Sequence, residues 1–344
     1  MTWLHSRVSA GLDPARATAW QLSYARTGDG GAVLSLVAAH AIADGAALLD
    51  ALRRAAADEP PLRIPDRASV LRTLLSDVAD GARQSRIVAK WLAGRPRLPR
   101  AGKKPQGKPA PGEPAPHPDW TMPHVVVECD STELAHAAEH HGGSVNTLFA
   151  AALARIARAA ADREDAPEPD KVALPVSGRL GADDLRANST KIAMAVFGSE
   201  ALRKRELAPL KAACKKAYVA LAAAPAPPIP LALIQMLPDR VLDRLPQPPA
   251  ASVLASNLGE PPPAFRELGG VTAKSVSATA HYPGIDAAEV ATIGRGVAGW
   301  LMITGERATV SVCGLDPGGI PGQARLLELI VGELAEWGVG ARPW

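Results

Sequence analysis

One stretch constrains this chain more than any other: residues 33–50, VLSLVAAHAIADGAALLD, where an uncharged apolar run reaches a histidine and then turns into an alanine- and leucine-rich segment. Val33 to Val37 reads as a buried strand, because aliphatic side chains without charges suit a covered, pleated surface. The composition of Ala46 to Ala57 predicts a helix, with Asp44 near its start, where a carboxylate suits the dipole, and Gly45 turning the backbone sharply. His40 therefore stands at a strand-to-helix corner with an acid four residues on. Two readings fit that corner. One is a general base, since imidazole ordinarily titrates close to neutral pH. The other is a core histidine beside a capping aspartate.

A chain of 344 residues, 47% hydrophobic and 21% charged, buries a sizeable core in two lobes or domains and is not a disordered chain. Aromatics supply only 4%, so the core is expected to be aliphatic. Lys+Arg 38 against Asp+Glu 35 leaves +3, too small a surplus to point to nucleic acid. Cys129, Cys214 and Cys313 are widely spaced and odd in number, which reads as reduced thiols in a cytoplasmic protein. No cysteine or histidine cluster suggests structural zinc, so no metal is expected. His136 and His140 lie four apart on one helix but lack a third ligand, and His281 is left unassigned. Neither a GxSxG elbow nor a phosphate-binding glycine loop is present.

The start, MTWLHSRVSAGLDP, does not read as a secretory leader. The most apolar segment, Ala217 to Pro238, is interrupted by prolines and is not expected to span a membrane as one helix. It reads as a buried loop and short helix; the alternative is an acyl tunnel or a membrane-peripheral contact beside Lys211, Lys215 and Lys216.

The sharpest discontinuity is Arg95 to Pro118, rich in Pro, Gly and Lys, which divides the chain into a partial first lobe at 1–94, a linker at 95–119 and a second lobe at 120–344. The linker's Arg95, Arg97, Arg100, Lys103, Lys104 and Lys108 read as solubilising charges, with phosphates or an acidic carrier-protein face as the alternative. Apolar spacing predicts an amphipathic helix within Asp66 to Gly94. Strands are expected at 125–128, 171–176, 192–196, 271–279, 298–304 and 308–313. Helices are expected from an N-cap at Ser131, from Ser144 or Asn146 to about Ala161, over 200–222 and over 323–337. Alternating strands and helices indicate an α/β sandwich rather than a bundle.

His40-Ala-Ile-Ala-Asp44-Gly45 resembles the second half of the HHxxxDG signature of the coenzyme A-dependent acyltransferase superfamily. That superfamily includes chloramphenicol acetyltransferase, condensation domains, polyketide-associated acyltransferases and wax ester synthase/diacylglycerol acyltransferases. Further segments resemble the family in the same order: Trp20-Gln-Leu, Ser144 to Leu153, Leu174-Pro-Val-Ser-Gly-Arg179, Asn188-Ser-Thr and Ser256-Asn-Leu-Gly-Glu-Pro261. Ala39 replaces the family's first histidine.

The resemblance implies a two-lobed chloramphenicol acetyltransferase-like sandwich of mixed sheets flanked by helices. His40 falls on the catalytic base, and Asp44 on the aspartate that shapes the loop through an arginine, for which Arg179 is the candidate here. Ser256 and Asn257 are candidates for the oxyanion or substrate. The implied chemistry is acyl transfer from acyl-coenzyme A or a phosphopantetheine thioester to an alcohol or amine, with no permanent cofactor. Implied partners are a small acceptor, an acyl carrier protein or a second copy of the chain. Only 39 residues precede His40, so the first lobe is expected to be incomplete: the true start lies upstream, another polypeptide completes the sheet, or the chain is a reduced descendant that no longer catalyses. The alternative function is a non-catalytic relative that binds a carrier protein or acyl chain.

Overall fold

The computed structural model describes residues 3, 6, 7, 11–60 except 15 and 17, 70–94, 117–223 except 180, 182, 183 and 185, and 251–344 except 262, 269 and 283. The expected linker lies almost wholly outside the described residues, as do its six basic side chains and the part of the apolar segment after Ala223.

Two strands, β1 (Trp20–Arg26) and β2 (Ala32–Ala38), form an antiparallel hairpin. Helices α1 (Gly45–Ala56) and α2 (Val70–Ala93) follow. This part has almost no interior: between residues 18 and 94, among those whose burial is described, Asp44 alone is buried. Trp20, Leu22 and Tyr24 stay exposed on one face of the hairpin.

The rest is built on a seven-stranded mixed sheet. Its strands are β3 (His124–Asp130), β4 (Asp170–Ser177), β5 (Thr190–Phe197), β6 (Val253–Asn257), β9 (Val297–Thr304), β10 (Arg307–Gly314) and β11 (Ala341–Pro343). A separate short hairpin supplies β7 (Glu267–Leu268) and β8 (Val271–Thr272). The spatial order is β11-β3-β10-β9-β6-β4-β5. β6 runs parallel to β4 and β9, and the other pairs are antiparallel. On one face lie α3 (Ser131–His140), α4 (Val145–Ala160), α6 (Leu207–Ala223) and α7 (Gln323–Glu336), closing the main core of alanine, leucine and valine around Phe149 and Phe197. A smaller cluster of Trp120, Met122, Val290 and Trp300 covers part of the other face.

Several local expectations change for identifiable reasons. Asp130, not Ser131, caps α3: its carboxylate accepts from the amides of Thr132 and Glu133, while the Ser131 hydroxyl donates to Gly305 O. Ser144 caps α4, and Asn146 instead donates to the Tyr218 hydroxyl. The helix expected over 200–222 breaks into α5 (Ser199–Lys204) and α6 at Arg205, which takes a left-handed φ of 55°. The strand expected over 271–279 stops at Thr272; beyond it, Ser277 and the Val276 carbonyl meet Ser311 and Thr309 of β10 through hydroxyls rather than a backbone ladder. Ala217 of the apolar segment packs in the main core.

The ladder between β4 and β6 covers only Val172–Ala173 against Val253–Leu254. Pro175 comes two residues later and has no N–H to give to a ladder. Beyond this point β6 stays with β9 as far as Asn257.

At the opposite end of the sheet, a Cβ on Gly319 would meet the backbone carbonyl of Ala160, which cannot move without breaking the end of α4. Gly319→Ala should therefore cost about 3 kcal/mol, read as a lower urea midpoint at unchanged slope.

Candidate active site

The turn after β2 carries His40, whose side chain is exposed. Almost everything that shapes this turn comes from the other lobe. Asn188 donates from its side-chain amide to the carbonyls of His40 at 2.8 Å and Ala41 at 3.1 Å. The Asp44 amide donates to Ala187 O at 2.9 Å. Residues 187 and 188 thus clamp both sides of the turn.

Asp44 sits at the centre, 2% exposed. One carboxylate oxygen caps α1 by accepting from the Ala47 amide at 2.9 Å. Arg179, just past β4, pairs with both oxygens at 2.8 and 3.1 Å. The Ser189 amide and the Thr190 hydroxyl complete the shell at 2.8 and 3.1 Å. Arg179 is itself held by the carbonyls of Arg186 and Ala187. Burial pushes the Asp44 carboxyl up; the Arg179 guanidinium, the Ser189 and Ala47 amides and the Thr190 hydroxyl outweigh it and bring the pKa from 3.8 to about 2. A carboxylate so fully engaged is a structural anchor and not a proton carrier.

Gly45 plays a different part from the one its residue type suggests. It is the first residue of α1 and is absent from the positive-φ glycines, so no sharp turn needs it. A Cβ there would come within 3.3 Å of Leu258 Cδ2. Leu258 follows β6, so the segments just past β4 and β6 both reach residues 44 and 45.

Ser256 is buried in β6 beside Trp300. Asn257 is exposed, and its side-chain oxygen accepts from Gly259 N at 2.8 Å, which leaves its amide nitrogen as the donor. Asn188 and Thr190 are the site residues that sequence reasoning left without a role. Their signal was a polar Asn-Ser-Thr run immediately before an apolar strand.

The other candidates lie elsewhere. His136 and His140 are both exposed on α3, and among the described residues no group of three His, Cys, Asp or Glu side chains could hold a metal. All three cysteines are buried and unbridged; burial pushes the thiols of Cys129 and Cys313 up to about 12 and that of Cys214 to about 11. No helix among the described residues is long and apolar enough to cross a membrane.

Solved structures supply the comparison. The condensation domain of the monacolin K polyketide synthase MokA matches with a TM-score of 0.50 at 13% identity, over 95% of this chain and 72% of that one. The chain has a condensation-domain fold. The nonribosomal peptide synthetase FmoA3 also matches at 0.50, with 16% identity, over 96% of this chain and 33% of that much longer one. The wax ester synthase/diacylglycerol acyltransferase of Marinobacter aquaeolei VT8 matches at 0.48 and 16% identity, over 98% and 74%. No protein-family model matches the chain and no curated protein is significantly similar in sequence.

A carboxylate whose folded pKa lies below its unfolded value stabilises the fold above the unfolded value and loses that contribution as pH falls through the folded one. Asp44 should thus contribute roughly 2 kcal/mol, complete above about pH 5 and lost between about pH 4 and pH 2. Thermal melts of wild type and Asp44→Asn check this: the gap in Tm holds near neutrality and closes below about pH 4. A gap indifferent to pH contradicts it. Arg179→Ala should cost more, about 3–5 kcal/mol at neutral pH, because it leaves a buried charge unpaired.

Proposed function

We propose that this chain is an acyltransferase that moves an acyl group from a coenzyme A or carrier-protein thioester to an alcohol or amine, with His40 as the general base. The observation that carries the reading is the exposed His40 on a turn held from the seven-stranded sheet by Arg179 and by residues 187 to 190.

In the proposed reaction the acceptor's hydroxyl or amine attacks the thioester carbonyl while His40 removes its proton. The tetrahedral intermediate then collapses, the carbon–sulfur bond breaks, and the imidazolium returns that proton to the leaving thiolate. No covalent enzyme intermediate is needed. Negative charge that develops on the carbonyl oxygen requires placed donors; the Asn257 amide nitrogen or, on the opposite face of β6, the Ser256 hydroxyl is the candidate. Asp44 and Arg179 hold the turn and take no part in proton transfer. A carrier protein and a small acceptor are the partners that this chemistry calls for.

The replacement of the family's first histidine by Ala39, and the thin interior of residues 18–94, favour the second reading, a non-catalytic relative that binds a carrier protein or acyl chain. Release of free thiol from acyl-coenzyme A separates the two. In the enzyme, His40→Ala should slow acceptor-dependent release by a factor of 100 or more, with stability changed by less than about 0.5 kcal/mol because the side chain is exposed. Release absent from both wild type and variant would support the binding role.

A further inference from the structure

The edge strand β5 presents two unlike faces. Ala193, Ala195 and Phe197 are buried in the main core beneath α6. On the other face the alternate residues Ile192, Met194 and Val196 are 42%, 37% and 53% exposed. Their neighbours across β4 on that face are Pro175, Ala173 and Lys171. The row is therefore a narrow apolar strip, open on one side and ended by the Lys171 charge opposite Val196. Natural edge strands are usually blunted with charges or proline rather than left with three apolar side chains in line.

The strip begins at the histidine turn. Thr190 stands at its head on the same face, since side chains alternate along a strand, and its hydroxyl donates to Asp44 at 3.1 Å. Two residues earlier, Asn188 holds the His40 carbonyl. From Ile192 to Val196 the strip runs for about 13 Å at the usual rise of about 3.3 Å per residue, room for an extended hydrocarbon of roughly ten carbons. Three partly exposed side chains offer a few hundred Å² at most, short of the roughly 800 Å² a side that a specific protein interface buries. Its linear shape, its continuity with the turn and its small area fit an alkyl chain better than a second polypeptide.

We propose that the open face of β5, Ile192-Met194-Val196, holds the hydrocarbon chain of the acyl substrate, so that the site prefers medium or long acyl groups to acetyl or aminoacyl ones. The preference rests on the acyl-transfer reading for its chemistry, but binding of the chain does not require turnover.

Calorimetric titration of the full-length protein with unreactive S-alkyl-coenzyme A thioethers, butyl and dodecyl, tests the proposal. In wild type and in His40→Ala, dodecyl should bind at least about tenfold more tightly than butyl, because extra methylenes are covered on one side. Met194→Glu and Val196→Glu place charges on an exposed face and should weaken dodecyl binding about tenfold while leaving butyl within about twofold. Met194→Leu should retain the preference for dodecyl. The unchanged butyl affinity reports that the fold is intact. Equal binding of the two thioethers in wild type overturns the proposal. So does sedimentation showing that Met194→Glu dissolves a dimer while dodecyl affinity is unaffected, because the strip would then cover a second copy. If thiol release proves independent of His40 while the chain-length preference remains, the function reading fails alone and the chain site stands.

Discussion

The Asp44 carboxylate is the group on which the arrangement turns. Among the residues from 18 to 94 whose burial is described it is the one buried side chain, yet nearly all of its partners belong to the seven-stranded lobe. One charge thereby caps α1, fixes the end of the histidine turn and fastens the hairpin region to the larger lobe. A buried ion pair is seldom a net source of stability compared with apolar packing, but breaking one is costly, so it specifies a geometry more than it strengthens a fold. Here the geometry specified is the position of His40.

The second constraint is a short ladder. β4 and β6 pair over only two residues, and the segments that follow them, Arg179 on one side and Leu258 on the other, reach the start of α1. The ion pair and the approach of Leu258 to Gly45 are both made there.

How much of this was legible in the chain depends on sequence distance. The strand and helix around His40 follow from a local pattern, and the structure places β2 and α1 within a residue of the boundaries that pattern predicts, but β2 holds no buried residue and Gly45 makes no turn. The pairing of Arg179 with Asp44 entered through family resemblance, since composition carries no information about contacts 135 residues apart. Asn188 is harder still: an exposed polar residue ahead of a strand looks like an ordinary loop side chain until its two carbonyl partners, 148 and 147 residues away, are in place. Helix ends misread at Ser131 and Arg205 reflect competition between neighbouring caps, which spacing alone does not resolve. Arg158, fully buried against Asp170, was hidden because an arginine at a helix end normally reads as a solvated charge.

A double-mutant cycle on Asp44 and Arg179, read in the rate of acceptor-dependent thiol release, tests most directly whether this cross-lobe pair positions His40. If it does, Asp44→Ala, Arg179→Ala and the double variant lose activity by similar factors, with a coupling of at least about 1 kcal/mol, because either change alone already frees the turn. Losses that multiply, with no coupling beyond about 0.5 kcal/mol, would show that the two residues act independently and that the turn is held in place by something else.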